Sequence, residues 1–332
     1  MGTPVDPTPA LVQAALSAAA DAPGYPTSAG TVQLRSAAAR WLQRRLGVPG
    51  VDPGAVMATI GSKEFVAWLP TALGLGAGDR VVVPELAYPT YAVGALMAGA
   101  QVVATDSLLT VGPASVAVVW LNSPSNPTGR VLPAEHLAKV VSWARERGAV
   151  VVSDECYIEL GWTKQPVSVL HPEVCGGSMD GLLAVHSLSK RSNLAGYRAG
   201  FVAGDPVLVA ELLAVRKHAG MMVPGPVQAA MVAALDDDEH VAAQRERYQS
   251  RRARMIVALA DAGFEVAGSE AGLYLWAGRG EDCWTSVGWL AERGILVAPG
   301  AFYGAAGGEH VRVALTATDE RVDAACGRLA AR

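Results

Sequence analysis

"SLSKRSNLAGYRAG", residues 187–200, follows the apolar run "GLLAVH" and decides the interpretation of the fold. It places Lys190 among small and hydroxyl side chains, with Ser187 three residues before it and Arg198 eight residues after it. An ordinary exposed lysine needs no such setting. An apolar strand that runs into serines, a lysine and then an arginine instead suggests a polar site at the edge of a sheet.

Short β-rich runs alternate with helical patterns between about residues 30 and 235. In the helical pattern at 133–148, apolar residues recur at helical spacing from Leu137 to Ala144, and Gly148 ends it. Continuous apolar strands separated by helices predict an α/β fold with a mostly parallel sheet covered on both faces. The predicted strands are 56–60, 80–84, 101–105, 116–122, 149–155, 182–187 and 199–204.

The pattern changes after Pro226. A long charged helix is predicted at about 238–262, and it is followed by short strands and two helices, the last at about 319–330. This order is typical of a smaller α+β domain. The predicted division is therefore a large domain at 30–237, with 1–29 and 238–332 forming the small domain.

Composition excludes several classes of protein. Of the 332 residues, 51% are hydrophobic and 17% charged, which is enough apolar material for a large core. The net charge of −4 argues against a nucleic-acid partner. The N-terminus lacks a basic signal region and no apolar run reaches about 18 residues, so we expect a cytoplasmic protein without a membrane span. The cysteines are too scattered to predict a metal site or a disulfide framework: Cys156, Cys175, Cys283 and Cys326.

Five polar segments follow predicted strands. Ligands of parallel α/β sheets bind beyond the carboxyl ends of the strands, so these segments predict one large site. The segments are "GSKEF" (61–65), "ELAYPTY" (85–91), "NSPSNPTG" (122–129), "SDECY" (153–157) and "SLSK" (187–190).

Each segment also has a purely structural interpretation when it is taken alone. Residues 126–129 are of the types that favour turns. Asp154 could cap a helix, as could Gly61 with Ser62. Lys190 could be a surface lysine. The order and spacing of the segments are what favour a functional site.

The combination resembles the fold-type I aminotransferases, which use pyridoxal 5′-phosphate (PLP). The matching motifs are Asn-Pro-x-Gly at 126–129, Asp-x-x-Tyr at 154–157, and Ser-x-x-Lys at 187–190 with an arginine eight residues later. The resemblance extends over nearly the whole chain. It implies a large PLP-binding domain with a central sheet, a smaller α+β domain, and no metal.

The resemblance also implies the roles of individual residues. Lys190 would carry PLP covalently and would move the Cα proton as general base and acid. Asp154 would keep the pyridine nitrogen of the cofactor protonated. Asn126 and Tyr157 match the family's donors to the ring hydroxyl oxygen.

The phosphate of PLP would need a cation and several N–H groups. Arg198 and Ser187 match the family's cation and hydroxyl. Gly61, Ser62 and Lys63 lie at the predicted start of a helix, where anions are attracted.

Two tyrosines match aromatic positions of the family. Tyr88 would stack on the cofactor ring. Tyr25 resembles the tyrosine that reaches the phosphate of the neighbouring subunit, which implies a homodimer with shared active sites.

The resemblance places the substrate at Arg312, in "HVRVAL", which matches the arginine that pairs with the α-carboxylate. The alternative is a surface arginine on an edge strand. Asn126 and Gly2 belong to the same predicted substrate site. Gly2 lies in "MGTPVDP", which resembles an internal piece of family members. The chain would therefore start late, and either the start is misplaced or the site closes differently.

Three segments resemble the actinobacterial N-succinyldiaminopimelate aminotransferases in particular: 2–9, 61–64 and 294–325. The implied reaction is transamination of N-succinyl-LL-2,6-diaminopimelate with 2-oxoglutarate and glutamate in lysine biosynthesis, with Lys63 and Ser62 as candidates for binding the distal end of the substrate. The alternatives are an aminotransferase of other specificity, a PLP-dependent carbon–sulfur lyase, and a PLP-binding regulator, although no DNA-binding module is recognisable. A catalytically inactive homologue is disfavoured by Lys190, Asp154 and Arg198.

Overall fold

The computed structural model describes residues 2–112 and 114–330. The predicted domains begin at residue 1 and end at residue 332, and both of these limits lie outside the described residues. The helices are α1 (Ala10–Ala18), α2 (Val32–Leu46), α3 (Gly61–Ala72), α4 (Thr90–Met97), α5 (Ala134–Arg145), α6 (Pro172–Cys175), α7 (Leu188–Arg191), α8 (Pro206–Arg216), α9 (Gly225–Asp236), α10 (Glu239–Asp261), α11 (Cys283–Glu292) and α12 (Asp319–Ala330). The strands are β1 (Val56–Ile60), β2 (Arg80–Val83), β3 (Gln101–Ala104), β4 (Val118–Asn122), β5 (Val150–Asp154), β6 (Leu182–Ser187), β7 (Ala199–Gly204), β8 (Glu265–Ala267), β9 (Tyr274–Gly278), β10 (Ala298–Pro299) and β11 (His310–Ala314).

Strands β1 to β7 form one sheet in the order β1-β7-β6-β5-β4-β2-β3. The pairs from β6 to β3 are all parallel, whereas β7 is antiparallel to both of its neighbours, β6 and β1. The prediction of an α/β fold with a mostly parallel sheet is confirmed. Each of the seven strands lies within two residues of its predicted position.

The central strands of this sheet are buried on both faces, which explains why they are continuous apolar runs. Val119 of β4 and Val151 of β5 pack in one core cluster with the apolar face of α5. Trp120 and Val152, which alternate with them, pack in a second cluster on the opposite face. The predicted helix at 133–148 is confirmed, although it ends at Arg145.

Strands β8 to β11 form a four-stranded antiparallel sheet in the order β10-β11-β9-β8. The predicted strand "ILVAPG" contributes only the two residues Ala298 and Pro299, and the proline has no N–H to extend the pairing. Ile295 and Val297 instead bury their side chains in the core of this smaller sheet. The long charged helix is confirmed as α10.

The segment 2–9 lies against the smaller sheet and its helices, and Asp6 holds it there. Both carboxylate oxygens of Asp6 accept hydrogen bonds of 2.7 Å from Arg251 of α10, whose side chain is 1% exposed. Burial disfavours the ionised form of Asp6, but the hydrogen bonds from Arg251 and Gln244 outweigh it and hold the pKa of Asp6 below its ordinary value.

Beyond this segment, α1 packs on α9, and Val12 is fully buried in the core of the large sheet. Residues 1–29 were predicted to belong with the small domain. Their contacts are divided between the two sheets, and the exact domain limits remain a prediction.

We expect Asp6→Ala to lower the free energy of unfolding by about 3 kcal/mol, because the buried guanidinium of Arg251 then keeps only a long hydrogen bond to the Leu315 carbonyl and an ion pair with the exposed Asp319 among the described residues. Urea unfolding of the purified variant measures this loss. The matched control is Asp323→Ala, which removes the exposed ion pair with Arg254 of the same helix and should cost at most about 1 kcal/mol. Equal losses in the two variants would contradict the anchoring role of Asp6.

Among the described residues, no helix combines the length and the apolar character needed to cross a bilayer. Within the same residues, no three His, Cys, Asp or Glu side chains are grouped so as to hold a metal ion.

Candidate active site

A cavity of about 660 Å³ opens at the carboxyl ends of β4, β5 and β6. Eleven of the residues predicted from the sequence line it together: Gly2, Ser62, Lys63, Tyr88, Asn126, Asp154, Tyr157, Ser187, Lys190, Arg198 and Arg312. The polar segments after the strands therefore do form a single site, as the parallel arrangement predicts.

Asp154 ends β5 at the bottom of the cavity and is only 6% exposed. Its Oδ2 atom accepts a 2.7 Å hydrogen bond from the Tyr91 hydroxyl, and its Oδ1 atom accepts one of 3.2 Å from the backbone N–H of Cys156. Burial raises the pKa of the Asp154 carboxyl above its ordinary value, and the hydrogen bonds from Cys156 and Tyr91 oppose that shift. Asp154 is thus a buried carboxyl group whose orientation is set by two donors.

Asn126 is positioned by Asn122, the last residue of β4. The Asn122 Oδ1 atom accepts a 2.7 Å hydrogen bond from the Asn126 N–H, and its Nδ2 atom donates to the Asp154 carbonyl at 3.0 Å. The segment 126–129 does turn, with Gly129 at φ +68°. It also directs the Asn126 side chain to Arg312, whose Nη1 atom donates to Asn126 Oδ1 at 2.8 Å. Residues 126–129 therefore form a turn and also contribute to the site.

Arg312 lies on β11 between β9 and β10, so the alternative of a surface arginine on an edge strand is wrong. Its guanidinium carbon is 3.9 Å from the ring centroid of Tyr274 and 5.0 Å from that of Tyr303. Its Nε atom is buried without a hydrogen-bond partner among the described residues. A guanidinium held in this way is suited to an anion entering the cavity, such as a carboxylate.

Lys190 is on the short helix α7, directly after β6. Its Nζ atom donates a 2.7 Å hydrogen bond to the carbonyl of Gly2, which brings residues 188 positions apart into contact. A Cβ atom at Gly2 would lie 2.1 Å from the Tyr274 hydroxyl, so no larger residue fits there. The amine of Lys190 and the backbone of segment 2–9 thus meet inside the cavity.

Tyr157 and Tyr274 face each other across the cavity, with their hydroxyl oxygens 3.1 Å apart. Burial and the neighbouring Tyr274 raise the pKa of Tyr157 well above its ordinary value. The Tyr157 phenol therefore keeps its proton and can donate a hydrogen bond.

The other end of the cavity is built for an anion. Helix α3 begins at Gly61, so the N–H groups of residues 61–63 have no acceptor within the helix. Gly61 has φ +68°, and a Cβ atom there would lie 2.3 Å from the guanidinium of Arg198. Glu64 stabilises this turn by accepting from the Ile60 N–H and by pairing with Arg216. Because residue 61 is a glycine, the Arg198 guanidinium can pack directly against the start of α3.

These features fit PLP, a flat pyridine that carries a phosphate. A buried carboxyl group, Asp154, and a helix N-terminus with Arg198 both line the cavity. The Lys190 amine and the Tyr88 ring line the same cavity. An amine in that position can hold an aldehyde covalently.

Eight lining residues are not among the predicted site residues: Thr3, Tyr91, Asn122, Cys156, Ser189, Ala195, Gly196 and Tyr274. A signal existed for Tyr91, because it follows Tyr88 by three residues at the start of a helix and so shares its side. Cys156 lies inside the "SDECY" segment. Nothing in the sequence distinguishes Tyr274 from the other apolar residues of β9.

Tyr25 is a predicted site residue that does not line the cavity. It is 97% exposed in the loop between α1 and α2. Its predicted contact with a neighbouring subunit stays a prediction.

The chain matches the family described as aminotransferase class I and II over residues 2–329. It is 67% identical over 329 residues to a probable aminotransferase of Mycobacterium tuberculosis, covering 99% of this chain and 79% of that protein. It is 63% identical to the 4-dedimethylamino-4-oxo-anhydrotetracycline transaminase of Streptomyces rimosus, covering 99% and 91%. Among solved structures, the N-succinyldiaminopimelate aminotransferase of M. tuberculosis is similar with a TM-score of 0.91 and 27% identity, covering 99% and 91%.

Proposed function

The chain belongs to the class I and II aminotransferase family, whose cofactor is PLP, and from this premise we propose that it transfers an amino group between N-succinyl-LL-2,6-diaminopimelate and 2-oxoglutarate. Its substrates are small amino acids and 2-oxo acids. The observation that carries the proposal is the Arg312 guanidinium, which lies over the Tyr274 ring with a buried, unpartnered Nε atom. Both substrates have an α-carboxylate, so one arginine can serve both half-reactions.

We propose that Lys190 is the residue that holds the cofactor and moves the proton. PLP, when bound, withdraws electrons from the substrate so that the Cα proton can be removed. The Lys190 amine lies in the cavity that Arg312 also lines, so it can take that proton and return it to a different carbon. Asp154, buried at the bottom of the cavity, keeps a proton on the ring nitrogen.

The phosphate of the cofactor would be bound at the start of α3. Arg198 supplies the cation there, and Ser187 and Ser62 supply hydroxyl groups. The N–H groups from Gly61 onward add partial positive charge. The Tyr88 ring would cover one face of the cofactor.

Tyr157 and Asn126 would flank the ring hydroxyl oxygen. Tyr157 is a protonated donor. Asn126 also accepts a hydrogen bond from Arg312, so it links the group that binds the cofactor to the group that binds the substrate carboxylate. Gly2 supplies the carbonyl that holds the Lys190 amine in place.

The position of Lys63 supports the proposal of a substrate that has more than one carboxylate. It lines the cavity, its Nζ atom is 5.7 Å from the Tyr88 ring centroid, and it forms no ion pair with the described residues. We propose that Lys63 and Ser62 bind the distal end of the succinylated substrate.

A second candidate comes from the 63% identity to the S. rimosus transaminase, which is named for an oxo derivative of anhydrotetracycline. That identity is far higher than the 27% shared with the M. tuberculosis N-succinyldiaminopimelate enzyme. The second candidate is therefore a bulkier oxo compound as amino acceptor.

The test is a substrate panel with the purified, PLP-loaded protein. Glutamate is supplied with the succinylated 6-oxo acid, and the release of 2-oxoglutarate is followed. We expect kcat/KM for this pair to exceed that for aromatic and branched-chain amino acids. We also expect Lys63→Gln to lower kcat/KM for this pair about tenfold more than it lowers kcat/KM for alanine, as for the loss of one charged contact.

A clearly higher kcat/KM for aromatic or branched-chain amino acids would refute the succinylated substrate and leave the aminotransferase activity standing. A higher kcat/KM for a fused-ring ketone would favour the second candidate. Release of ammonia from cystathionine would identify a carbon–sulfur lyase instead.

We also propose that the protein forms a homodimer in the cytoplasm, in which Tyr25 of each chain reaches the phosphate end of the other's cavity. The support is the nearly complete exposure of this tyrosine in a loop. Tyr25→Phe should weaken PLP binding without altering the monomer fold.

A further inference from the structure

Tyr91 lies beneath the proposed cofactor site and has no role in the reaction described above. We infer that it is a positioning residue for Asp154, whose carboxylate it orients and keeps ionised opposite the ring nitrogen. The inference rests on the proposed function, because it assumes that Asp154 faces a bound PLP ring.

The geometry holds the Tyr91 ring in one orientation. The residue is fully buried on α4, and its hydroxyl lies 2.7 Å from Asp154 Oδ2. Its ring stacks on Trp120 of β4 with centroids 4.8 Å apart and planes 20° apart. The Tyr88 ring meets it edge-on at 5.7 Å. Since packing fixes the ring in two directions, the hydroxyl has little freedom to leave Asp154.

The two oxygens of Asp154 have separate partners. Tyr91 donates to Oδ2 and the Cys156 N–H donates to Oδ1. A carboxylate has about four acceptor positions, so two donors leave room for the N–H of a pyridinium ring. They also prevent the carboxylate from rotating away from that ring.

The charges lead to the same conclusion. Burial favours the neutral form of Asp154, and a hydrogen bond from Tyr91 favours the anion. Burial and the charge of Asp154 raise the pKa of Tyr91 well above its ordinary value, so the Tyr91 hydroxyl keeps its proton and donates to Asp154.

The position of one proton follows from this hydrogen bond. An Asp154 anion that accepts from Tyr91 is a weaker base, so a proton shared with the ring stays on the ring nitrogen. Without the hydroxyl, the proton moves toward Asp154 and the ring loses positive charge. The ring then withdraws electrons less strongly, while Arg312 still binds the substrate carboxylate.

The experiment uses Tyr91→Phe holoenzyme loaded with PLP that carries ¹⁵N in its ring. We expect the ¹⁵N resonance to move from the pyridinium position toward that of neutral pyridine. We also expect kcat for the glutamate half-reaction to fall by about tenfold, the effect of one hydrogen bond to a charged group, with KM nearly unchanged.

The matched control is Tyr248→Phe, which removes another buried phenol hydroxyl, one that donates to Asn193 and not to Asp154. It should leave the ¹⁵N resonance in place. If Tyr91→Phe does not fold, Trp120→Phe keeps the hydroxyl but loosens the stack, and a smaller shift in the same direction is expected.

An unmoved ¹⁵N resonance in the Tyr91 variant overturns the inference, whether or not activity falls, because a purely structural defect would not move the proton. A wild-type protein that binds PLP but shows a neutral ring nitrogen also overturns it. Failure of the wild type to bind PLP or to react with glutamate would instead refute the proposed function, so the two failures are distinguishable.

Discussion

Lys190→Ala is expected to lower the rate of transamination by about four orders of magnitude, since it removes both the covalent attachment of the cofactor and the proton-transferring amine. The Nζ atom lies in the cavity at 2.7 Å from the Gly2 carbonyl. No other lysine among the described residues lines the cavity except Lys63, which is at the start of α3. Because Lys63 is on a different element from Lys190, we expect it not to replace the Lys190 amine.

Non-covalent binding of PLP should survive in this variant, because Arg198 and the start of α3 are unchanged. The measurement is borohydride reduction followed by mass spectrometry. After reduction, the wild type should carry the cofactor covalently on the peptide that contains Lys190. The variant should bind PLP only reversibly, so that dialysis removes it. Lys217→Ala, at the exposed end of α8, is the control and should behave as the wild type. Near wild-type turnover in Lys190→Ala would make the assignment wrong.

Asp154→Asn is expected to lower kcat by about a hundredfold or more, because it removes a buried charge opposite the pyridinium ring. Asparagine has nearly the same volume as aspartate, but its side chain has only one acceptor oxygen. Only one of the two donors, the Tyr91 hydroxyl or the Cys156 N–H, therefore keeps an acceptor. We expect PLP still to bind through its phosphate end, with the loss confined to the removal of the Cα proton.

Stopped-flow absorbance of the PLP-loaded variant, mixed with glutamate, measures that step directly. The control is Asp21→Asn, an exposed residue beyond α1 that should leave the rate unchanged. A loss of less than about tenfold, which corresponds to about 1.4 kcal/mol, would count against the role of Asp154.

Most strand positions could be predicted because the central strands of the large sheet are apolar on both faces, from Val118 to Leu121 in β4 for example. The direction of β7 could not be predicted, since burial on two faces leaves the same pattern in a parallel and an antiparallel strand. The length of β10 was overestimated because Ile295 and Val297 are buried although they lie in a loop. Periodicity does not distinguish a buried loop residue from a buried strand residue.

The site was predictable where its residues follow strands, because the ends of parallel strands meet at one edge. Asp154 and Lys190 are of this kind. Tyr274 was not predictable, because it enters the cavity through the pairing of β9 with β11, and that register is a property of the tertiary structure. The contact between Gly2 and Lys190 depends on segment 2–9 being anchored by Asp6, which no local pattern indicates.

The reversed direction of β7 restricts where the chain can change in length. Because β6 and β7 are antiparallel, the chain leaves the edge of the sheet at Ser187 and is back at it by Gly200. Lys190 and Arg198 both lie in that short return. An inserted or deleted residue there would displace one of them relative to the other, with no crossover helix to absorb the change. The parallel connection through α5, in contrast, keeps its helix out of the cavity lining. We therefore expect a change in chain length to be tolerated in the connection through α5 and not in residues 188–198.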